Sequence, residues 1–554
     1  AEQHTNLKYY IFKNIILNNL YGVDIMNEAV EIAKLRLFLK LVATVDVNPR
    51  KENYGLEPLP DIDFNVRAGN TLIGFATEIE LLETIRKKDA LFAQDKLDEF
   101  KEEFELVSKA YSHFQNTQLI NDQGSDSFKK AKADLNNRLN TLNHKLNIYL
   151  AGNYGITDAE GKQKDKYKQW LSSHQPFHWF AEFYQIVAGN GGFDCIIGNP
   201  PYVTFPNKSV KYNLNNFDTI KSSNLFSYCM ERSEYLINSI GRFSFIILMA
   251  SITTKRMDVL RKYMIENYKT NWLINLAGDW HPGRLFDGVR SQFTIWCSTK
   301  SGNENLYTTD YLRWYNEERD TIFQNLKYAS NPQIDLNSSL YKIGSKNENA
   351  ILNKLSLNKR SILSYKLKSV SKNKFEYRNA GIAYYQIAID FNQHFQVNGA
   401  KSKSSTLFSF HTNEKAEKIV ILSLLNSNIF SLFYFLNSDC YHLTSGDFSL
   451  FNIDINKIST SNLSLLELYL SQYMDSLKTN SIIKTTSYKT KGEVIYQEFY
   501  PKFSKIIMDK IDIVFAQHYG FTEGELDFII NYDIKYRMGK ALFGEEENGE
   551  DGDE

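Results

Sequence analysis

Cysteine is scarce: Cys195, Cys229, Cys297 and Cys440 are the only four in 554 residues. No Cys-x-x-Cys pair occurs, and no His/Cys cluster has zinc-ligand spacing. Neither a disulfide framework nor a metal site is therefore expected. The simplest expectation is a reduced, cytoplasmic protein. Proline (10) and glycine (28) are also few, which excludes collagen-like or broadly disordered character. No signal peptide is evident. The longest apolar stretch, Ile419–Leu436, is interrupted by Ser423, Asn426, Ser427, Asn428 and Ser431. It reads as buried helix, so no membrane partner is expected.

What is present is an ordinary globular composition, 43% hydrophobic and 23% charged, long enough for several domains. The net charge of −1 is unevenly placed. Glu545–Glu554 holds seven acids and no base, which leaves the rest net positive. A mildly basic body permits nucleic-acid binding. Residues 541–554 read as a disordered acidic tail.

The apolar pattern divides the chain. Ile15–Val23 is a short apolar run ending at Asp24, after which Asn27 can cap a helix to about Ala43. Phe64–Val66 leads into Ala68-Gly69-Asn70. From 78 to 175 the spacing turns helical, with Leu135, Leu139, Leu142 and Leu146 on one face and a break at Asn121–Ser127. This predicts an inserted helical hairpin. Its Lys129, Lys130, Lys132, Arg138 and Lys145 either face DNA or form a solvated face. The α/β pattern resumes at 176–305. Buried-strand candidates there are Phe193–Ile197, Arg242–Met249, Trp272–Leu276 and Gln292–Ser298, alternating with helices over Asn224–Ser239 and Lys255–Tyr268. Such alternation predicts a mostly parallel, doubly wound sheet. Residues 306–540 mix short strands, helices and Ser/Asn-rich turns, and read as α+β.

The most specific local signal is Asn199-Pro200-Pro201-Tyr202, directly after Phe193–Gly198. Two prolines cannot continue a sheet ladder, so the strand must stop there. Ligands of open α/β sheets bind beyond the carboxyl ends of strands. The chemistry follows from the residue types. An exocyclic amine on a base is a poor nucleophile because its lone pair is delocalised. The Asn199 side-chain carbonyl and the Pro200 backbone carbonyl can accept both of its N–H groups and turn lone-pair density towards an electrophile. Tyr202 offers a face on which a planar base stacks. The alternative is a plain turn. With 10 prolines in 554 residues, such a tetrapeptide arises by chance in roughly one chain in several hundred.

Gly-Asn-Pro-Pro-Tyr after an FDxIIG-like strand resembles the signature of S-adenosylmethionine-dependent amino-methyltransferases, chiefly the DNA adenine-N6 class. Tyr21–Ile25 with Asn27–Ala33, and Ala68–Leu72, look like that family's second strand, following helix and third-strand motif. His178-Trp179-Phe180, Glu182-Phe183 and Tyr532–Arg537 resemble type IIG restriction–modification enzymes and BREX-type phage-defence methyltransferases. The resemblance implies a Rossmann-like methyltransferase sheet in 1–77 and 176–305, a helical insertion in 78–175 and a target-recognition domain in 306–540. It implies site-specific transfer of methyl to adenine N6 of a base flipped out of double-stranded DNA.

By the same resemblance, Asp24 binds the cofactor ribose, Ile25 packs on its adenine, and Asn70 contacts its adenine amine. The competing roles are a helix-capping Asp and a turn Asn. Asn199, Pro200, Pro201 and Tyr202 hold the target adenine, and Phe286 packs against the flipped base unless it is a core residue. Lys208 and Lys211, with Lys401 and Lys403, are candidate phosphate contacts. One departure matters: no DxxxGxG-like loop precedes Asp24. The sheet is then incomplete at its N-terminus, and the expected partner is a preceding segment that carries the glycine loop and, in type IIG proteins, a nuclease. Glu160-Gly161-Lys162 has nuclease-like spacing but sits in a polar loop without the upstream acid. The alternatives left open are a non-catalytic DNA-recognition fragment that needs an N-terminal partner, and an NPPY enzyme acting on protein or RNA.

Overall fold

The computed structural model describes residues 6–50, 54, 58–119, 126–278, 282–331 and 339–539. The acidic tail and most of the break at 121–127 lie outside these. The chain packs as two units. One comprises 1–245, 266–269 and 298–302; the other comprises 246–265, 270–297 and 303–554.

In the first unit, helix α1 (Leu7–Asn19) leads to strand β1 (Gly22–Asp24), helix α2 (Asn27–Val42) and strand β2 (Val66–Ala68). β1 and β2 are parallel, with Asp24 opposite Ala68. The apolar run at Ile15–Val23 is therefore mostly helix. The strand ends at Asp24 as expected, but only three residues are strand. Asn27 is the first helical residue rather than the cap. The turn before it is held by Asp24, whose Oδ1 accepts the Met26 N–H at 2.8 Å.

The hairpin forms as the periodicity predicts. Helices α3 (Glu78–Lys88), α4 (Ala93–Leu119) and α5 (Asp126–Gly152) follow, and Leu135, Leu139, Leu142 and Leu146 are buried. It is fixed to the α/β part by edge-to-face pairs Phe104–Phe180 and Phe64–Phe114, each with centroids 5.0 Å apart. Lys132 pairs with Asp61 and Asp63, Arg138 with Asp134, and Lys145 with Glu103. Three of the five basic positions thus serve internal ion pairs rather than a DNA face. Gly161 and Lys162 donate their N–H groups to the Asp158 carboxylate in a loop, in keeping with a chance ExK match.

Helix α6 (Lys164–His174) precedes β3 (Phe193–Gly198), which pairs in parallel with β4 (Ile237–Leu248). Here two expectations are corrected. β3 was expected to be buried, yet Cys195 is exposed and Ile197 is 80% exposed. Its apolar pattern records a need for cover, but among the described residues β4 is its only neighbour. β1–β2 is also a separate two-stranded sheet rather than part of one continuous sheet. β4 starts at Ile237, five residues earlier than expected, because the helix Leu225–Leu236 runs straight into it.

In the second unit β5 (Thr270–Leu276), β6 (Phe293–Thr299), β7 (Asn305–Leu312) and β8 (Ala329–Ser330) lie in the order β6-β5-β7-β8. β5 and β7 are parallel; β7 and β8 are antiparallel. Strand pairing therefore continues past residue 305, where the α/β pattern was expected to stop. Thr308 and Thr309 hide β7 from an apolar count, yet both are buried and hydrogen-bonded to backbone carbonyls. Two antiparallel sheets follow. One is β10-β9-β13, from β9 (Lys374–Arg378), β10 (Ala388–Ile389) and β13 (Leu407–His411). The other is β12-β11-β15-β14, from β11 (Phe395–Val397), β12 (Ala400–Lys401), β14 (Ile482–Tyr488) and β15 (Gly492–Glu498).

Ile419–Leu436 is buried as two helices, Lys415–Leu425 and Asn428–Asn437, bent by 65°. Ser427 caps the second by accepting the Phe430 N–H. No single helix among the described residues is long and apolar enough to cross a membrane. The Tyr532–Arg537 segment is pinned into this unit by Arg313–Asp533 and Arg537–Asn428, and by the Tyr315 hydroxyl donating to the Lys535 carbonyl at 3.1 Å.

Candidate active site

Strand β3 stops at Gly198, opposite Phe245 of β4. A Cβ at position 198 would meet the Phe245 ring at 2.8 Å, so glycine is needed for this close approach. Asn199 follows, exposed, then buried Pro200, exposed Pro201 and half-buried Tyr202. The loop is anchored on its far side. Thr204 bridges to Asn224, the Leu225 N–H donates to the Val203 carbonyl at 3.0 Å, and the Phe205 N–H donates to the Ser223 carbonyl at 2.9 Å. Buried Phe205 packs edge-on against Tyr228. Asn224 also caps the next helix through the Phe226 N–H. Fixed ends and two prolines make this a stiff loop.

Within it, the Tyr202 hydroxyl donates to Asn199 Oδ1 at 2.5 Å. Burial pushes Tyr202 up to about 12, so at neutral pH it is a neutral donor. In this state the carbonyl expected to receive a target amine already holds one hydrogen bond.

The second cluster lies at the carboxyl ends of β1 and β2. The Gly69 N–H donates to the Asp24 carbonyl at 2.8 Å, which holds Asp24 and Asn70 at adjoining strand ends. Asp24 is exposed, with Oδ1 engaged by Met26, and Ile25 is 39% exposed. Asn70 is buried. Its N–H donates to the Gln175 carbonyl and its Oδ1 accepts the Leu72 N–H, while its Nδ2 has no hydrogen-bond partner. A buried orphan donor beside an exposed carboxylate and an apolar side chain suits a ligand that has an acceptor, hydroxyls and a flat ring.

Behind this pair stands the segment around His178-Trp179-Phe180. Position 69 admits no Cβ, which would meet Phe177 at 2.8 Å. His178 Nδ1 accepts the Phe75 N–H at 3.2 Å and its Nε2 lies 3.1 Å from Asn147 Oδ1. Complete burial holds its imidazole neutral, lowered to about 3. Trp179 Nε1 donates to Thr71, and Glu182 pairs with Arg67 at 3.0 Å. These residues hold the 67–75 segment in place.

Sequence reasoning missed the link between the two clusters. Tyr212, beyond the proline loop, interacts with the Asn70 side chain, and burial pushes it up to about 12. The Asn213 N–H donates to His174 Nε2 at 3.3 Å. Nothing in the local sequence around Tyr212 announces this return contact.

Residues 18–280 match the family model described as the Eco57I restriction-modification methylase. A curated protein of Methanocaldococcus jannaschii, described as a type II restriction enzyme and methyltransferase, is 31% identical over 311 residues; the match covers 49% of this chain and 25% of that one. The chain thus spans about a quarter of the length of this curated relative. Among solved structures, the type IIL restriction-modification enzyme MmeI in complex with DNA aligns over 97% of this chain and 75% of its own, at 11% identity and a TM-score of 0.36. The DrdV–DNA complex aligns over 37% and 24%, at 13% identity and a TM-score of 0.24. TM-scores this low do not establish a shared fold.

The Eco57I-type span contains Asp24, Ile25, Asn70, Asn199, Pro200, Pro201, Tyr202, Lys208 and Lys211, all in the first unit. Lys208 and Lys211 are exposed on the segment between the proline loop and Tyr212. Phe286 falls just beyond the matched span, in the second unit, half-buried edge-on against Phe293 with centroids 5.3 Å apart. That contact is what a core residue makes. Among the described residues no His/Cys/Asp/Glu group could hold a metal ion.

Proposed function

We propose that this chain is the methyl-transferring and DNA-recognising part of a site-specific DNA adenine-N6 methyltransferase of a restriction–modification or phage-defence system. The observation that carries the reading is the setting of Asn199: a side-chain amide at the end of a parallel strand, on a loop stiffened by two prolines and anchored at Thr204–Asn224. The Asn199 side-chain carbonyl and the Pro200 backbone carbonyl accept the two N–H groups of a flipped adenine, and the Tyr202 ring stacks on it. Both acceptors are neutral, so the loop works by positioning the amine lone pair rather than by removing a proton. S-adenosylmethionine, when bound, supplies the methyl group. Asp24 takes its ribose hydroxyls, Ile25 its adenine face, and Asn70 its adenine amine. Lys208 and Lys211 meet phosphates beside the loop.

A second reading is favoured by one surface. On α1, Leu7, Ile11 and Ile15 recur at helical spacing, as do Ile32, Leu35 and Leu39 on α2; all are 41–61% exposed. Among the described residues β1 and β3 each have one hydrogen-bonded neighbour. Apolar stripes and open strand edges of this kind ask for a polypeptide cover. In this reading the chain recognises DNA, and transfers methyl only when a covering segment with a cofactor-cradling loop is present.

Methyl transfer from labelled S-adenosylmethionine to duplex DNA by this chain alone tests both. Transfer to adenine N6, lost in Asn199→Ala, upholds the first. Salt-sensitive duplex binding without transfer upholds the second. Transfer to protein or RNA with none to DNA would overturn both.

A further inference from the structure

The sheet β12-β11-β15-β14 ends in two hairpin tips that lie side by side. β11 and β12 turn through Asn398 and Gly399, at φ 49° and 78°, the pair favoured where both turn residues are left-handed. β14 and β15 turn through 489–491 ahead of Gly492, at φ 76°. Asn398 ties the tips together. Its N–H donates to the Glu493 carbonyl at 2.8 Å, its Nδ2 to the Lys491 carbonyl at 3.2 Å, and its Oδ1 accepts the Glu493 N–H at 2.9 Å. A Cβ at position 492 would sit 2.2 Å from that oxygen. The spacing of the tips is therefore built in.

This end is net basic, with three exposed lysines against one exposed carboxylate, Glu493. Lys401, Lys489 and Lys491 are exposed, and none makes an ion pair among the described residues. Lys403 and Lys484 are instead neutralised by Glu376 at 2.6 Å and Glu498 at 2.7 Å. No acid occurs from Ile482 to Lys491, and Thr485, Ser487, Tyr488 and Thr490 expose hydroxyl groups there. β14 is an edge strand with six of its seven residues exposed. A strand made to cover a core alternates instead. Lysine on an edge also discourages strand-to-strand aggregation. That role is met by a charge along the strand, such as Lys484; it does not call for three unpaired lysines gathered from two hairpins at their turns.

We propose that the paired hairpin tip is a contact surface for duplex DNA, with Lys401, Lys489 and Lys491 on backbone phosphates and the hydroxyl-bearing edge of β14 towards the groove. The proposal rests on the DNA reading above. Charge complementarity selects the partner: lysine and hydroxyl side chains are the usual phosphate donors, and a two-stranded ribbon is narrow enough for a major groove about 12 Å wide.

The test is fluorescence anisotropy of a labelled duplex with the full chain over a series of salt concentrations. Each phosphate contact contributes about 0.9 to the slope of log affinity against log salt. The double variant Lys489→Gln/Lys491→Gln is expected to lose about 1.8 from that slope and to bind roughly tenfold or more weakly near 0.1 M salt. Lys484→Gln, already paired with Glu498, keeps the parent slope. An unchanged melting temperature checks that the fold is intact. If the parent chain binds duplex and the double variant matches its affinity and slope, the tip is not a DNA contact, and the methyltransferase reading stands. If the parent shows no salt-sensitive duplex binding, both fall.

Discussion

The hydrogen bond from the Tyr202 hydroxyl to Asn199 Oδ1 makes a quantitative prediction. A target amine must use the same carbonyl, so the hydroxyl competes with substrate for it. Tyr202→Phe keeps the ring for stacking and frees the acceptor. A neutral hydrogen bond contributes about 0.5–1.5 kcal/mol net, and 1.4 kcal/mol is tenfold. The KM for DNA should then fall by about 2- to 12-fold, with kcat changing less than KM. Asn199→Ala supplies the floor, because it removes the acceptor itself. The assay is steady-state methyl transfer from tritiated S-adenosylmethionine to duplex DNA, with the covering polypeptide supplied if the chain alone is silent. Loss of transfer by Tyr202→Phe as complete as that of Asn199→Ala would refute the reasoning: the hydroxyl would then take part in the chemistry or be needed to orient Asn199.

Asp24→Ala should weaken S-adenosylmethionine binding by about 10- to 150-fold, from the 1.5–3 kcal/mol of hydrogen bonds to a charged group. Titration calorimetry reads it, and unchanged affinity would leave Asp24 as the turn former that its bond to Met26 describes. His178 is held neutral at about 3, below its unfolded value of about 6.5. The folded state therefore binds fewer protons between those values, and the stability it contributes is complete above pH 6.5 and lost as pH falls towards 3. About 2 kcal/mol should be gone by pH 5; urea unfolding of His178→Gln should lack this component, and an identical pH profile would count against it. Asp533→Ala leaves the Arg313 guanidinium buried and unpaired (side chain 1% exposed), which should cost about 3–5 kcal/mol. Unfolding followed by fluorescence of neighbouring Trp314 would show it, and a shift under 1 kcal/mol would mean that water or another acceptor replaces the carboxylate.

Elements whose cover comes from their own neighbourhood were legible in the sequence. The leucines at 135, 139, 142 and 146 are spaced for a helix face, and the hairpin buries them. Residues whose state depends on distant chain were not. The pattern of β3 signals burial, yet Ile197 faces solvent, because periodicity records a demand for cover and not its source. β7 was missed because Thr308 and Thr309 look polar, and their burial relies on carbonyls such as that of Ile343, thirty-five residues on. The Asn199–Tyr202 motif was visible as a strand-ending tetrapeptide. That its two polar side chains bind one another could not be read, since it depends on backbone set by Phe245 and Asn224.

Asp24 shows why both a structural and a functional role can be right for one residue. Its Oδ1 is spent on the Met26 N–H, the bland role open to any Asp before a helix. The same bond fixes the carboxylate at the end of β1 and leaves its other oxygen free, next to the strand end that carries Asn70. Asn70 repeats the arrangement: its carbonyl is used internally by Leu72, and its buried amide is left beside Tyr212. In each case the local bond does the orienting and leaves the remaining atom for the proposed cofactor. Tyr212, which reaches Asn70 from the far end of the proline loop, joins these two strand ends to the segment that begins at Asn199. The stiffness that the two prolines give the loop therefore extends, through Phe205 and Tyr212, to the side chains expected to hold the cofactor.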